Sequence, residues 1–148
     1  MAEGGLNFSA KAENIAMERQ KLSADFYEQK KEVYLKQYWG RKHSNIYIPN
    51  GVFDREGFIR KNAFIVHLFH KGGRVIDLGC GNGLLLRFIV DTVPYALVPY
   101  GVDFLEPSIR QAREVVLPEF KNNFSVGNVR DYVFKTGFDF IITNPVYV

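Results

Sequence analysis

The chain has 148 residues, of which 47% are apolar and 24% are charged, a balance typical of one globular domain and not of a disordered chain. Its net charge of +3 comes from interspersed residues, so a nucleic-acid partner is permitted but not implied. Cys80 is the only cysteine, which excludes a disulfide framework and a thiolate metal cluster. No stretch approaches the ~18 apolar residues of a membrane span, and no basic head precedes an apolar run. These features predict a soluble, cytoplasmic protein with no membrane partner.

The first 53 residues predict a helical segment ahead of the main domain. Residues 9–39 contain neither Pro nor Gly, and apolar residues recur at spacings of seven, four and seven between Ile15 and Val33. This is the stripe of an amphipathic helix. Ser23 is a candidate N-cap that would divide the stretch, so one or two helices are expected. Residues 41–53 are predicted to form a loop, with a turn at 49–51 (Pro-Asn-Gly).

Downstream, short apolar runs alternate with helical segments. Asp54 is the predicted N-cap of a helix that Gly72 and Gly73 end. Two further helices are predicted over residues 84–93 and 107–116, and four strands over residues 74–78, 96–102, 124–126 and 138–143. Strands that are continuously apolar and alternate with helices indicate a parallel sheet covered on both faces. The predicted fold class is therefore α/β, with a Rossmann-like doubly wound sheet.

The first predicted strand ends in a turn that has glycines at positions 79, 81 and 83. Glycine allows the backbone to approach a ligand closely, and the helix that follows offers free N–H groups at its start. Asp103 lies twenty residues after Gly83, at the end of the second strand, where an acid accepts hydrogen bonds from a ribose diol. The third glycine comes one residue too early for the dinucleotide fingerprint, and no P-loop lysine follows. The turn thus predicts a nucleotide cofactor other than NAD or a nucleoside triphosphate.

Residues 77–83 (Asp-Leu-Gly-Cys-Gly-Asn-Gly) match the pattern Asp-x-Gly-x-Gly-x-Gly in full and resemble the first motif of class I S-adenosylmethionine-dependent methyltransferases. The resemblance implies S-adenosylmethionine as cofactor, with Asp77 and the glycine loop holding its methionine part and Asp103 its ribose. Residues 127–131 resemble the third motif of that family. By this match, Asn128 would bond the adenine amino group and Val129 would lie beside the ring edge. Phe104 fits an adenine wall and plain packing equally well.

Residues 144–147 (Asn-Pro-Val-Tyr) follow the fourth predicted strand and resemble the Asn-Pro-Pro-Tyr tetrad of enzymes that methylate nitrogens on nucleic acid or protein. The resemblance implies that Asn144 orients the target amino group and that Tyr147 stacks on the target, so these two are the predicted catalytic residues. Val146 departs from the tetrad, whose two prolines stiffen the turn. The predicted cofactor-binding residues are Asp77, Gly79, Cys80, Gly81, Asn82, Gly83, Asp103, Phe104, Asn128, Val129 and Asn144.

Aromatic residues between positions 26 and 43, among them Tyr38 and Trp39, resemble the N-terminal lid of small-molecule methyltransferases. A lid excludes water from the site and orients the reactants, although each ring could equally dock a helix on the core. His67 and His70 lie three residues apart with no further ligand candidate, so packing is expected and no metal site is predicted. The predicted domains are a helical lid over residues 1–53 and an S-adenosylmethionine-binding domain over residues 54–148.

Three functions remain open on these residues. A methyltransferase of small molecules is favoured by the lid, whereas a nitrogen methyltransferase of nucleic acid or protein is favoured by residues 144–147 and the positive charge. A non-catalytic cofactor-binding module is the third. The resemblance implies a seven-stranded sheet, of which four strands are predicted, so we expect a portion of a longer enzyme. On that expectation, the fourth strand would be an apolar edge that could promote self-association.

Overall fold

The computed structural model describes residues 45–52 and 54–143, together with positions 17, 21, 25, 28, 29 and 31–33, which are helical. Its centre is a parallel sheet of four strands: β1 (Gly73–Leu78), β2 (Leu97–Asp103), β3 (Phe124–Val126) and β4 (Phe140–Thr143). The strands lie in the order β3-β2-β1-β4, and each adjacent pair is parallel. The predicted α/β class with a Rossmann-like parallel sheet is confirmed.

Helices connect and flank these strands. They are α1 (Arg55–Asn62), α2 (Leu84–Thr92) and α3 (Glu106–Gln111). Shorter helical segments are the 3₁₀ turns Ile48–Asn50, Ala63–Leu68 and Pro118–Asn123 and the π segment Ala112–Val116. The Asp54 side chain accepts a hydrogen bond from Gly57 N at 2.7 Å, which confirms the predicted N-cap. Within the described ranges, no helix reaches the eighteen apolar residues that a membrane span needs.

The hydrophobic core lies between the sheet and the helices that follow β1 and β2. Its fully buried side chains include Val75, Leu86, Ile89, Ile109 and Leu117. Residues 45–52, predicted as a loop ahead of the domain, also pack against this core through Ile46, Tyr47 and Val52. The segment before α1 is therefore attached to the domain, close to the start of α2.

Two predicted helices are shorter than their apolar patterns suggested. The helix expected to end at Gly72 tightens to 3₁₀ geometry after Asn62, whose side-chain amide bonds Phe58 O at 2.9 Å and so competes with backbone bonding. The helix expected over residues 107–116 changes to a π segment at Ala112, where the carbonyl accepts from Leu117 N at 2.8 Å. Pro118 follows and prevents any continuation of the helix.

The fourth strand starts two residues later than predicted, at Phe140. Asp139 precedes it, and its carboxylate accepts hydrogen bonds from Arg74 N at 2.9 Å and from Lys71 Nζ at 2.7 Å. These bonds lower the pKa of Asp139, and the bond from Lys71 has the larger effect. Arg74 thus bonds the Asp139 side chain through its amide, and its carbonyl accepts from Asp139 N at 2.9 Å. Regular pairing of β1 with β4 begins one residue later, at Val75 and Phe140.

Candidate functional site

The four strands are parallel, so their carboxyl ends share one edge of the sheet, and β1 leaves that edge through a glycine loop, residues 79–83. Gly79, Gly81 and Gly83 have φ angles of 85°, 54° and 76°, in the left-handed region that favours glycine. A Cβ placed on Gly81 would meet no described atom within 4 Å. Gly81 therefore borders open space, and the loop presents its backbone to that space.

Asp103 ends β2 and fastens the glycine loop to it. Its Oδ2 accepts a hydrogen bond from Gly81 N and its Oδ1 one from Leu105 N, both at 2.9 Å. Burial raises the pKa of Asp103, and these two backbone bonds oppose the rise. A carboxylate has about four acceptor positions, so Asp103 retains acceptor capacity toward a ligand.

Asp77 is the unsatisfied polar group of the site. Its side chain is 2% exposed, and its Oδ1 has no hydrogen-bond partner among the described residues. Burial, reinforced by the charge of Asp103, raises the pKa of Asp77 to about 7. Such a buried oxygen indicates a missing donor, and a cationic group would satisfy both its hydrogen bonding and its charge.

The Cys80 side chain points into the protein. Its sulfur lies against Gly101, where a Cβ would come within 2.6 Å of it. Burial, followed by the charges of Asp77 and Asp103, raises the pKa of the Cys80 thiol well above its ordinary value. The thiol therefore stays protonated, which suits a small packing residue and not a nucleophile.

The Asn82 side chain, predicted to bind cofactor, is fully buried and bonded to protein. Its Nδ2 donates to Ile46 O and to Gln111 Oε1, each at 2.8 Å, and its Oδ1 accepts from Asn50 Nδ2 at 3.0 Å and Leu84 N at 3.3 Å. Asn82 can therefore face the open space only through its backbone. Sequence reasoning missed Asn50 and Gln111, because Asn50 reads as a turn residue and Gln111 belongs to no motif.

The segment after β3 lies beside the end of β2. Gly127 N donates to Asp103 O at 2.9 Å. Asn128 follows, half-buried, and its Oδ1 already accepts from Arg130 N at 3.0 Å. Val129 is 41% exposed and Phe104 is half-buried. The structure thus brings Asp103, Phe104, Asn128 and Val129 to the edge that carries the glycine loop.

The predicted catalytic residues Asn144 and Tyr147 lie outside the described residues, as do the predicted lid residues Tyr38 and Trp39. The last residue of β4, Thr143, pairs with Leu78 directly before the glycine loop. Over the ranges that the structure covers, no group of three or more His, Cys, Asp or Glu could hold a metal ion. The His70 ring packs edge-on against Phe140 at 5.6 Å.

The sequence and the fold both match known methyltransferases. The sequence profile of the methyltransferase small domain family matches residues 43–147. Among curated proteins, no sequence matches the chain significantly.

Two solved methyltransferase structures are similar to this chain. An S-adenosylmethionine-dependent methyltransferase of Geobacter sulfurreducens, in complex with S-adenosyl-L-homocysteine, is 17% identical over 76% of this chain and 42% of its own, with a TM-score of 0.52. An S-adenosylmethionine-dependent methyltransferase of Thiobacillus denitrificans, also in complex with S-adenosyl-L-homocysteine, is 24% identical over 57% of this chain and 35% of its own, with a TM-score of 0.47. The chain thus spans less than half the length of either, and the likeness to the Geobacter sulfurreducens structure supports the fold.

Proposed function

The chain belongs to the methyltransferase small domain family, within the class I S-adenosylmethionine-dependent methyltransferases, and on this premise we propose that it binds S-adenosylmethionine and takes part in methyl transfer. The proposed site is the edge where β1, β2 and β3 end. When bound, the cofactor supplies an electrophilic methyl group on a positively charged sulfur. The protein's own residues bind and orient it.

The observation that carries this proposal is the buried Oδ1 of Asp77, which has no donor among the described residues and lies beside a loop that faces open space. We assign Asp77 to the ammonium group of the methionine part, because a cation would favour the ionised carboxylate that burial now disfavours. The backbone of the glycine loop, with Gly81 at its centre, would run along the same part of the cofactor.

Asp103 and Asn128 are the proposed residues for the nucleoside. Asp103 keeps acceptor positions beyond its bonds to Gly81 N and Leu105 N, as ribose hydroxyl groups require. Asn128 Oδ1 bonds Arg130 N, and its remaining lone pair would accept from the adenine amino group. The side chains of Phe104 and Val129 would supply apolar contact for the base.

For the acceptor we propose a small molecule, on the strength of the aromatic residues between positions 26 and 43. A nitrogen on nucleic acid or protein is the second candidate, favoured by residues 144–147 (Asn-Pro-Val-Tyr). Thr143, the residue before Asn144 in the sequence, pairs with Leu78 directly before the glycine loop. A side chain that orients an acceptor toward the cofactor is needed near that loop for either class.

Calorimetric titration with S-adenosylhomocysteine and with NAD tests the proposal. We expect S-adenosylhomocysteine to bind and NAD to bind far more weakly. Asp103→Ala should raise the Kd for S-adenosylhomocysteine about 10- to 150-fold, the effect of losing a hydrogen bond to a charged group. Glu106→Ala is the matched control, because it removes a nearby carboxylate that forms an exposed ion pair with Arg110. Tighter binding of NAD, or equal effects of the two substitutions, would contradict the assignment.

A further inference from the structure

The 45–52 segment is joined to the glycine loop by a closed set of hydrogen bonds. Asn50 Nδ2 donates to Ile46 O at 3.1 Å and to Asn82 Oδ1 at 3.0 Å, and Asn82 Nδ2 donates to the same carbonyl of Ile46 at 2.8 Å. Lys61 Nζ adds a bond to Asn50 O at 3.1 Å. The Tyr47 ring packs on Phe58 of α1, with ring centroids 6.1 Å apart. The segment is therefore held on the domain by polar and aromatic contacts together.

All four bonding positions of the Asn82 amide are occupied: its two donors by Ile46 O and Gln111 Oε1, and its oxygen by Asn50 Nδ2 and Leu84 N. The carbonyl of Ile46 can only accept, so it settles which end of the amide carries the donors. The amide thus ties together three separate pieces of the chain: the 45–52 segment, the last residue of α3 and the first residue of α2.

Asn82 stands between Gly81 and Gly83, in a loop where three of five residues are glycine. Glycine imposes little conformational preference of its own, so the loop depends on bonds to its surroundings. The amides of Gly79 and Cys80 donate to Val102 O at 2.8 and 3.1 Å, and Gly81 N donates to Asp103 Oδ2 at 2.9 Å. The Asn82 side chain adds the four bonds described above. Within the part of the chain that the structure describes, the bonds of the Asn82 side chain are those that join this loop to the 45–52 segment.

We propose that Asn50 and Gln111 are positioning residues for the cofactor: they hold the Asn82 amide, and through it they hold the glycine loop in the conformation that faces the open space. The identity of the ligand in this inference rests on the proposed function, but the hydrogen bonds that position the loop are present without a ligand. It follows that docking of the 45–52 segment and binding of the cofactor strengthen each other, because both require the same loop conformation.

Asn50→Asp tests the proposal with almost no change in side-chain size. The carboxylate cannot donate, and it would face two acceptors, Ile46 O and Asn82 Oδ1. Asn123→Asp is the matched control, because it removes one amide bond to a backbone carbonyl, Asn123 Nδ2 to Pro99 O at 3.0 Å, without touching the loop. Gln111→Ala releases the Asn82 amide from its other side.

Amide hydrogen exchange on the ligand-free chain gives the first measurement. Exchange at residues 81–84 should be about 10- to 100-fold faster in Asn50→Asp and in Gln111→Ala than in Asn123→Asp, with protection in β1 and β2 unchanged. The Kd for S-adenosylhomocysteine should rise about 10-fold or more in the first two variants only.

Unchanged exchange at residues 81–84 in Gln111→Ala, or in an Asn50→Asp variant that keeps its β1 protection, would overturn the inference. If Asn50→Asp loses protection throughout β1, Gln111→Ala decides the question by the same measurement. A wild-type chain that fails to bind S-adenosylhomocysteine would instead overturn the proposed function. The exchange rates at residues 81–84 would still test whether Asn50 and Gln111 position the loop.

Discussion

Replacing Asp77 with Asn should remove much of the pH dependence of the chain's stability between about pH 5.5 and 8. The carboxyl has an ordinary pKa of 3.8, which burial and the Asp103 charge raise to about 7 in the folded chain. Between these values, the folded chain holds a proton that the unfolded chain has lost. The free energy of unfolding of the wild type should therefore be greatest below the ordinary pKa and fall as the pH rises through about 7.

The size of this effect follows from the same two pKa values. Raising the pKa of one carboxyl from 3.8 to about 7 corresponds to at most about 4 kcal/mol. That is a large share of the ~5–15 kcal/mol by which domains are ordinarily stable. The slope from one proton cannot exceed about 1.4 kcal/mol per pH unit. The raised pKa of Asp103 acts in the same direction, so some slope should persist in Asp77→Asn.

Urea unfolding followed by far-ultraviolet circular dichroism, repeated at half-unit pH steps, measures the slope. The lowered pKa values of Glu119 and Asp139 change stability with pH in the opposite direction. The stability that these two carboxylates contribute is lost as the pH falls below about 5. The window from about pH 5.5 to 8 therefore lies above the range in which Glu119 and Asp139 contribute, and it contains the raised pKa of Asp77. A slope that is the same in wild type and Asp77→Asn would show that the folded chain carries Asp77 ionised, and the argument from its buried oxygen would fail.

Two further substitutions test the acceptor and the packing beneath the loop. If Asn144 orients an acceptor nitrogen, Asn144→Ala should lower the transfer of labelled methyl groups to RNA or peptide about tenfold or more. The Kd for S-adenosylhomocysteine should stay nearly constant. Equal transfer by the variant and the wild type would contradict the nitrogen acceptor and favour the small-molecule acceptor. Gly101→Ala should cost about 1–3 kcal/mol in urea unfolding, because its Cβ would come within 2.6 Å of Cys80 Sγ and 2.7 Å of the Phe124 ring. Gly137→Ala, whose Cβ would meet no described atom within 4 Å, is the control, and equal costs would contradict the packing argument.

The docked segment bears on how a lid would work in this protein. Residues 45–52 belong to the predicted lid segment, residues 1–53, and they contact the glycine loop through Asn82. A change in the position of this segment would be transmitted to the proposed cofactor site through the hydrogen-bonded amide of Asn82. Coupling of this kind has the same free energy in both directions, so cofactor binding should also order the segment.

The strands were predictable from local sequence. The strand predicted over residues 124–126 has the same bounds as β3, and the strand predicted over residues 74–78 starts one residue after β1 does. β1 is buried over three consecutive residues, from Val75 to Asp77, and the short apolar run that marks a buried strand is visible in a short window. The N-cap at Asp54 was also predictable, because a cap bonds an amide only three residues away.

The ends of other elements were decided by tertiary contacts. The helix predicted over residues 107–116 keeps regular geometry only to Gln111, and the strand predicted from residue 138 begins at Phe140, after Asp139, whose carboxylate binds the Arg74 amide. The partners in that bond are 65 residues apart. Hydrophobic periodicity reports which face of an element is buried, but it carries no information on such distant partners.

The sequence by itself determined the α/β fold, the glycine loop and the acids at positions 77 and 103, because these depend on backbone conformation and spacing within one βαβ unit. Only the tertiary structure decided how the side chains are used. It turned Asn82 inward to partners 32 and 29 residues away, Asn50 and Gln111, and it buried Asp77 without a donor for Oδ1 among the described residues. The burial of a side chain and its long-range hydrogen bonds depend on residues that are distant in the sequence. A motif therefore predicts which residue occupies a position, whereas the tertiary structure determines what the side chain of that residue contacts.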